Sequence, residues 1–77
     1  MFFMKDLEKI FKALSNRRRL QIIKLLSSNK WFDVTDISRE IGLSVKATSQ
    51  HLLVLFRAGI LENKKSLYVR RFRWNPK

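Results

Sequence analysis

Lys46, Ser49, Gln50 and His51 are the residues of this 77-residue chain whose types and spacing best suit recognition chemistry. On a 3.6-residue wheel Lys46 and Gln50 lie on one side of a helical segment, with Ser49 and His51 at its margins, away from Val45, Thr48, Leu52, Leu55 and Phe56. A glutamine amide can meet adenine N6 and N7 with paired hydrogen bonds, and a lysine ammonium can donate to guanine O6 and N7 or to a phosphate. Side chains on the first turns of such a helix are the ones that enter the major groove in helix-turn-helix complexes. The alternative is an ordinary solvated face. No catalytic arrangement competes: no nucleophile stands beside a base in a recognisable motif, the six acidic residues show no paired pattern, and His51 is the one histidine. With zero cysteines and no glycine-rich phosphate loop, neither metal nor cofactor is expected, and the chain does not read as an enzyme.

The elements that must position these side chains are legible as periodic segments. Gly42-Leu43-Ser44 is a tight turn, with Gly42 stopping one helix and Ser44 capping the next and doubling as a candidate phosphate contact. The helix before the turn has Val34, Ile37 and Ile41 inward and Thr35 as its expected cap. Leu7, Ile10, Phe11 and Leu14 recur at helical spacing over about residues 5 to 14, and Ser15-Asn16 breaks that helix. A second helix, capped by Asn16 or Ser15, carries the broad apolar face Leu20, Ile22, Ile23, Leu25 and Leu26. Trp31 to Val34 reads as a short extended stretch. After Ala58-Gly59, Ile60-Leu61 and Leu67 to Trp74 read as two strands joined near Lys64-Lys65-Ser66. One strand face carries Tyr68, Arg70, Phe72 and Trp74; the other carries Leu67, Val69, Arg71 and Arg73. This order predicts one domain over residues 1–77, mainly α with a small β-hairpin: a winged helix-turn-helix with a three-helix core and a wing. Trp31, Phe32, Tyr68, Phe72 and Trp74 are expected in its core rather than stacked on single-stranded bases.

Seventeen Lys and Arg against six Asp and Glu give a formal net charge of +11. That surplus must lie at the surface, where counterion release rewards clustered cations on nucleic acid. Arg17, Arg18, Lys64, Lys65 and Arg71 are the expected phosphate contacts, with Lys64 and Lys65 at the hairpin tip and Arg71 paired with Arg73 on one strand face. Arg17 to Arg19 occupy a first helical turn, whose positive dipole end disfavours cations and favours an anion. Arg19 is expected instead to tie helices together. Met1 to Met4 are too short for a signal core or a membrane span, which predicts a cytoplasmic, DNA-associated protein. Phe2, Phe3 and Met4, with Leu7, would leave an apolar end on a monomer and so form a candidate homodimer seam.

From Phe11 to Trp74 the chain resembles the ArsR-type winged-helix transcriptional repressors. The likeness rests on Leu14-Ser15-Asn16 through Arg19-Leu20-Gln21-Ile22-Ile23, on Asp36-Ile37-Ser38 to Ile41-Gly42-Leu43-Ser44, and on Thr48-Ser49-Gln50-His51-Leu52 to Val54-Leu55. The last is similar to the Val-Ser-x-His-Leu-x-x-Leu signature of the family's recognition helix, and Ala58-Gly59-Ile60-Leu61 resembles its Ala-Gly-Leu-Val exit into the wing. Metal-sensing members carry Cys-Val-Cys where this chain has Asp33-Val34-Thr35, so soft-metal sensing at that position has no ligands. The family usually has a helix after the wing that joins the first helix in the dimer; the reading to Lys77 places none there, which leaves the first helix as the expected seam.

These readings together predict a sequence-specific double-stranded DNA-binding regulator that represses by occupying an operator. The alternatives are a non-specific nucleic-acid-binding or chromatin-architectural protein, and a winged helix used for protein–protein contact.

Overall fold

One buried apolar cluster and the polar helix caps Asn16, Asp33 and Ser44 set the architecture of the computed structural model, which describes the backbone of residues 2–75 and the side chains of residues 4–75. Helix α1 spans Phe2–Leu14 and α2 spans Arg17–Leu26; between them Asn16 takes an extended conformation, and its side-chain oxygen accepts from the amides of Arg18 and Arg19. Strand β1 is Phe32–Asp33, α3 is Val34–Ile41, and α4 is Val45–Arg57. The wing is β2 (Leu61–Lys65) and β3 (Arg70–Trp74).

The helix-turn-helix forms from local chemistry. Gly42 has φ 71, a left-handed conformation that an L side chain adopts at a cost, and it ends α3 while its amide donates to the Ser38 carbonyl. Two residues later the Ser44 hydroxyl accepts from the Ala47 amide at 3.1 Å and starts α4. The cap of α3 is Asp33, not Thr35: its carboxylate accepts from the Asp36 amide at 2.8 Å. The helix starts earlier than its apolar pattern suggests because Asp33 is held extended by β1, which pairs with β3 through Phe32↔Phe72 and Asp33↔Arg71. The sheet is therefore three-stranded and antiparallel, in the order β1-β3-β2, rather than a bare hairpin.

Ala13, Ile22, Leu26, Ile37, Leu52, Leu55, Leu61 and Phe72 form the buried core, so every element from α1 to β3 except the short β1 contributes at least one fully buried side chain. Phe32, Val34, Ile41 and Ile23 pack against that centre. Four apolar residues expected inward are not buried: Phe11 is 64% exposed, Leu20 50%, Val45 49% and Phe56 38%. Among the aromatics, Phe72 is buried and Phe32 packs on the core, but Trp31 is only half-buried, Trp74 is exposed and Tyr68 is 93% exposed.

The wing differs from its expected layout. Lys64 and Lys65 lie within β2, paired in register with Arg71 and Arg70, so they flank the tip rather than form it. The tip is the turn Ser66 to Val69. The Ser66 amide donates to the Val69 carbonyl at 2.9 Å, and the Val69 amide donates back to the Ser66 hydroxyl at 3.2 Å. That reciprocal pair closes the turn and leaves Leu67 and Tyr68 outside both strands.

Candidate nucleic-acid interface

Buried Thr48, Leu52 and Leu55 fix which side of α4 faces the core, and the opposite side is consequently presented to solvent. Lys46, Gln50 and Arg57 are exposed there, with Leu53 between them only half-buried. Ser49 and His51 sit half-buried at the two margins, and Ser44 is exposed at the N-terminus of the helix. The five expected recognition-helix residues thus share one end of one helix. Leu53 and Arg57 extend the same stripe by one and two further turns; the 3.6-residue wheel already groups them with Lys46 and Gln50, and their apolar or C-terminal character is what kept them off the expected set.

The acid distribution sharpens this surface. Residues 41–77 hold eight of the seventeen Lys and Arg but only one of the six acids, Glu62. Glu62 is committed to Arg73, accepting from its Nε at 2.6 Å and making an ion pair with the same guanidinium, which also lies over the Trp31 ring at 4.6 Å. Arg73 is therefore a structural clamp between β2, β3 and the segment before β1. It does not form a free cation pair with exposed Arg71, as their shared strand face suggested.

Arg70, on the opposite strand face from Arg71 and Arg73, is a further wing cation. Its guanidinium lies over Phe72 at 5.2 Å and over Phe56 at 5.9 Å, and its buried Nε has no hydrogen-bond partner among the described residues. The exposure of Phe56 has its reason here: the ring forms a platform for a cation rather than part of the core. Lys64 rests over Trp31 at 5.6 Å.

The arginine run at the start of α2 divides into three roles. Arg19 donates from Nε to the Ala13 carbonyl at 2.7 Å and from Nη2 to the Lys12 carbonyl at 3.1 Å, and its Nη1 lies 3.5 Å from Nδ1 of His51. Arg18 donates to the Ile41 carbonyl at 2.7 Å. Both cations stand at the positive end of their own helix, yet their guanidinium groups reach the carbonyl ends of α1 and α3, where cations are favoured. The expected invitation to an external anion is thereby reduced: Asn16 takes two amides of this helix terminus and Arg18 and Arg19 are tied internally. Arg17 is exposed, and its side chain makes no hydrogen bond or ion pair among the described residues.

His51 is held below the ordinary histidine range, first by partial burial and then by the positive charge of Arg19 and Arg18. Its ring is neutral at pH 7 with Nδ1 placed to accept from Arg19. Among the described residues no group of three or more His, Cys, Asp or Glu is arranged to hold a metal ion. No helix among them is long and apolar enough to cross a membrane.

A cap-turn-cap junction between α3 and α4, an outward-facing polar stripe on α4 and a cation-rich two-stranded wing define a winged helix-turn-helix protein. Residues 16–63 match the model of the bacterial regulatory protein, arsR family, and the chain belongs to that family. Over 56 residues, 73% of this chain and 51% of the relative, it is 41% identical to the transcriptional activator HlyU of Vibrio cholerae. The HlyU structure superposes with a TM-score of 0.84 at 30% identity, covering 96% of this chain and 79% of that one. A solution structure of a Mycobacterium bovis domain, described as homodimeric and as belonging to a possible ArsR-family regulator, superposes at 0.87 with 27% identity over 95% of this chain and 67% of that one. The chain spans about half the length of HlyU and under two thirds of the other curated relatives it matches.

Proposed function

We propose that this chain is a single winged-helix domain that binds a specific double-stranded DNA site and regulates transcription by occupying it. The observation that carries the proposal is the outward stripe of α4, where Lys46 and Gln50 are exposed on a helix that contains no acidic residue. Ser49, His51 and Ser44 border the stripe; Arg17, Lys64, Lys65, Arg71 and the second edge of Arg18 supply backbone contacts, and Arg70 joins them from the wing. The function is binding rather than catalysis, with no metal or cofactor, and its setting is the cytoplasm. Repression is the expected outcome of occupancy; HlyU is named an activator, and the position of the site relative to a promoter decides between them.

Selection of bound sites from a random duplex pool tests this reading. A tight, sequence-selected component should persist above the electrostatic background as salt is raised. Gln50→Ala should then weaken the selected site by about 1 to 3 kcal/mol and relax choice at one base pair, because a bidentate amide contact discriminates by that amount. Equal affinity for every sequence would instead make this an architectural protein, and negligible affinity for any duplex would make the winged helix a protein-contact module.

The protein is further proposed to act as a homodimer, as the Mycobacterium bovis domain is described to be, and α1 is the proposed seam. Met4 and Leu7 lie with Phe11 and Lys12 along an open apolar groove on the outer face of α1, in which Met4 is 60% and Phe11 64% exposed. Phe11 joins the expected seam; the side chains of Phe2 and Phe3 lie outside the described residues.

A further inference from the structure

The wing ends in two large apolar side chains with nothing around them: Leu67 is 92% and Tyr68 93% exposed. They stand on a closed turn, held by the Ser66 to Val69 hydrogen bonds, so the exposure is built into the hairpin rather than a by-product of a loose loop. Immediately behind them the two strands oppose like charges, Lys65 to Arg70 and Lys64 to Arg71. Like charges directly opposite across a sheet are destabilising. None of these four cations has an acidic partner among the described residues, since the ion pairs there use Glu8, Asp36 and Glu62 with other residues. An apolar point behind a collar of unneutralised cations fits a polyanion with an apolar interior, which is the make-up of a DNA groove: phosphates along the rims, base edges and stacked faces within.

The depth agrees, and the width sets a condition. Leu67 lies two residues past Lys65, and at about 3.3 Å per residue the point extends about 7 Å beyond the last cation pair. The minor groove is about 7.5 Å deep and about 6 Å wide. When Lys65 and Arg70 meet phosphates on the rims, Leu67 and Tyr68 reach the groove floor. Two strands about 5 Å apart, with side chains, are too broad for an undistorted groove, so seating the point requires the groove to open. Apolar side chains that enter the minor groove do this by partly unstacking a base step and kinking the duplex.

We infer that Leu67 and Tyr68 form a wedge that enters the minor groove beside the α4 contact and bends the bound duplex. This rests on the DNA-binding reading proposed above. It assigns the wing tip a role in shape recognition: sites with an easily unstacked pyrimidine–purine step under the wedge are favoured without any hydrogen bond to their bases.

The test uses a duplex selected by the full chain from a random pool, labelled at both ends for energy transfer, with 2-aminopurine at successive positions flanking the α4 site. The expected result is a kink of about 20 to 90° on binding, with 2-aminopurine fluorescence rising at one step. The double variant Leu67→Ser, Tyr68→Ser should abolish both signals and weaken binding by about tenfold, the scale of losing stacking contacts. Its salt dependence should be unchanged, because no cation is removed. Circular dichroism should show the same fold, since neither side chain is packed. Lys64→Ala with Lys65→Ala should do the reverse, flattening the salt dependence while the remaining complex stays bent. A selected duplex that is bound equally tightly and equally bent by wild type and the double serine variant overturns the wedge and leaves DNA binding intact. Failure to select any duplex overturns both readings together. Tip-dependent self-association without DNA, seen by sedimentation, would assign Leu67 and Tyr68 to a protein contact instead and overturn the wedge.

Discussion

Thr48 is fully buried in α4 with a hydroxyl that has no hydrogen-bond partner among the described residues. A buried unsatisfied hydroxyl is destabilising, and the family signature that this helix resembles has valine at the same point. Thr48→Val should therefore raise stability by about 1 kcal/mol, read as a higher urea midpoint at unchanged slope, with DNA affinity unaffected because the side chain faces the core. His51 makes the opposite kind of demand. Its folded pKa lies below the ordinary value, so as pH falls the unfolded chain takes up the proton first and acidification erodes stability; the contribution is present above the unfolded pKa and fades below it. Urea midpoints measured between about pH 7 and pH 5 should fall more steeply for wild type than for His51→Gln. The neutral ring and its Arg19 neighbour were not legible in the sequence, because the two residues are 32 positions apart.

At the scale of elements, what was legible is what local chemistry decides. Gly42 and Ser44 act within four residues of themselves, as a left-handed stop and an amide acceptor, and both stand where their types predict. Asp33 was passed over for Thr35 because the choice depends on a strand pairing with Phe72 and Arg71, nearly forty residues downstream. The wing tip moved for a similar reason: β-propensity continues through Leu67 and Tyr68, and only the Ser66 to Val69 closure excludes them. Arg18 and Arg19 show how a dipole rule can mislead when applied to a single helix, since their heads reach the ends of two others. Arg19→Ala removes three donors from the α1–α2–α4 junction and should cost about 2 kcal/mol, more than Arg17→Ala, whose side chain has no hydrogen bond or ion pair among the described residues; thermal denaturation of the two variants checks the order.

For the whole molecule, the uncovered apolar face of α1 bears on the proposed dimer: in it, a second subunit would supply burial that one copy lacks. Sedimentation of the full chain beside one lacking residues 1–4 should give a dimer and a monomer, respectively; two identical masses would remove α1 from the interface. In a dimer the two α4 helices would enter successive major grooves about 34 Å apart on a pseudo-palindromic site. The opposed cations of the wing carry a last consequence for how the protein behaves on its own. Away from DNA it is under internal electrical tension, which dissolved ions relieve, so its melting temperature should climb with added potassium chloride over the same range in which its grip on a duplex slackens.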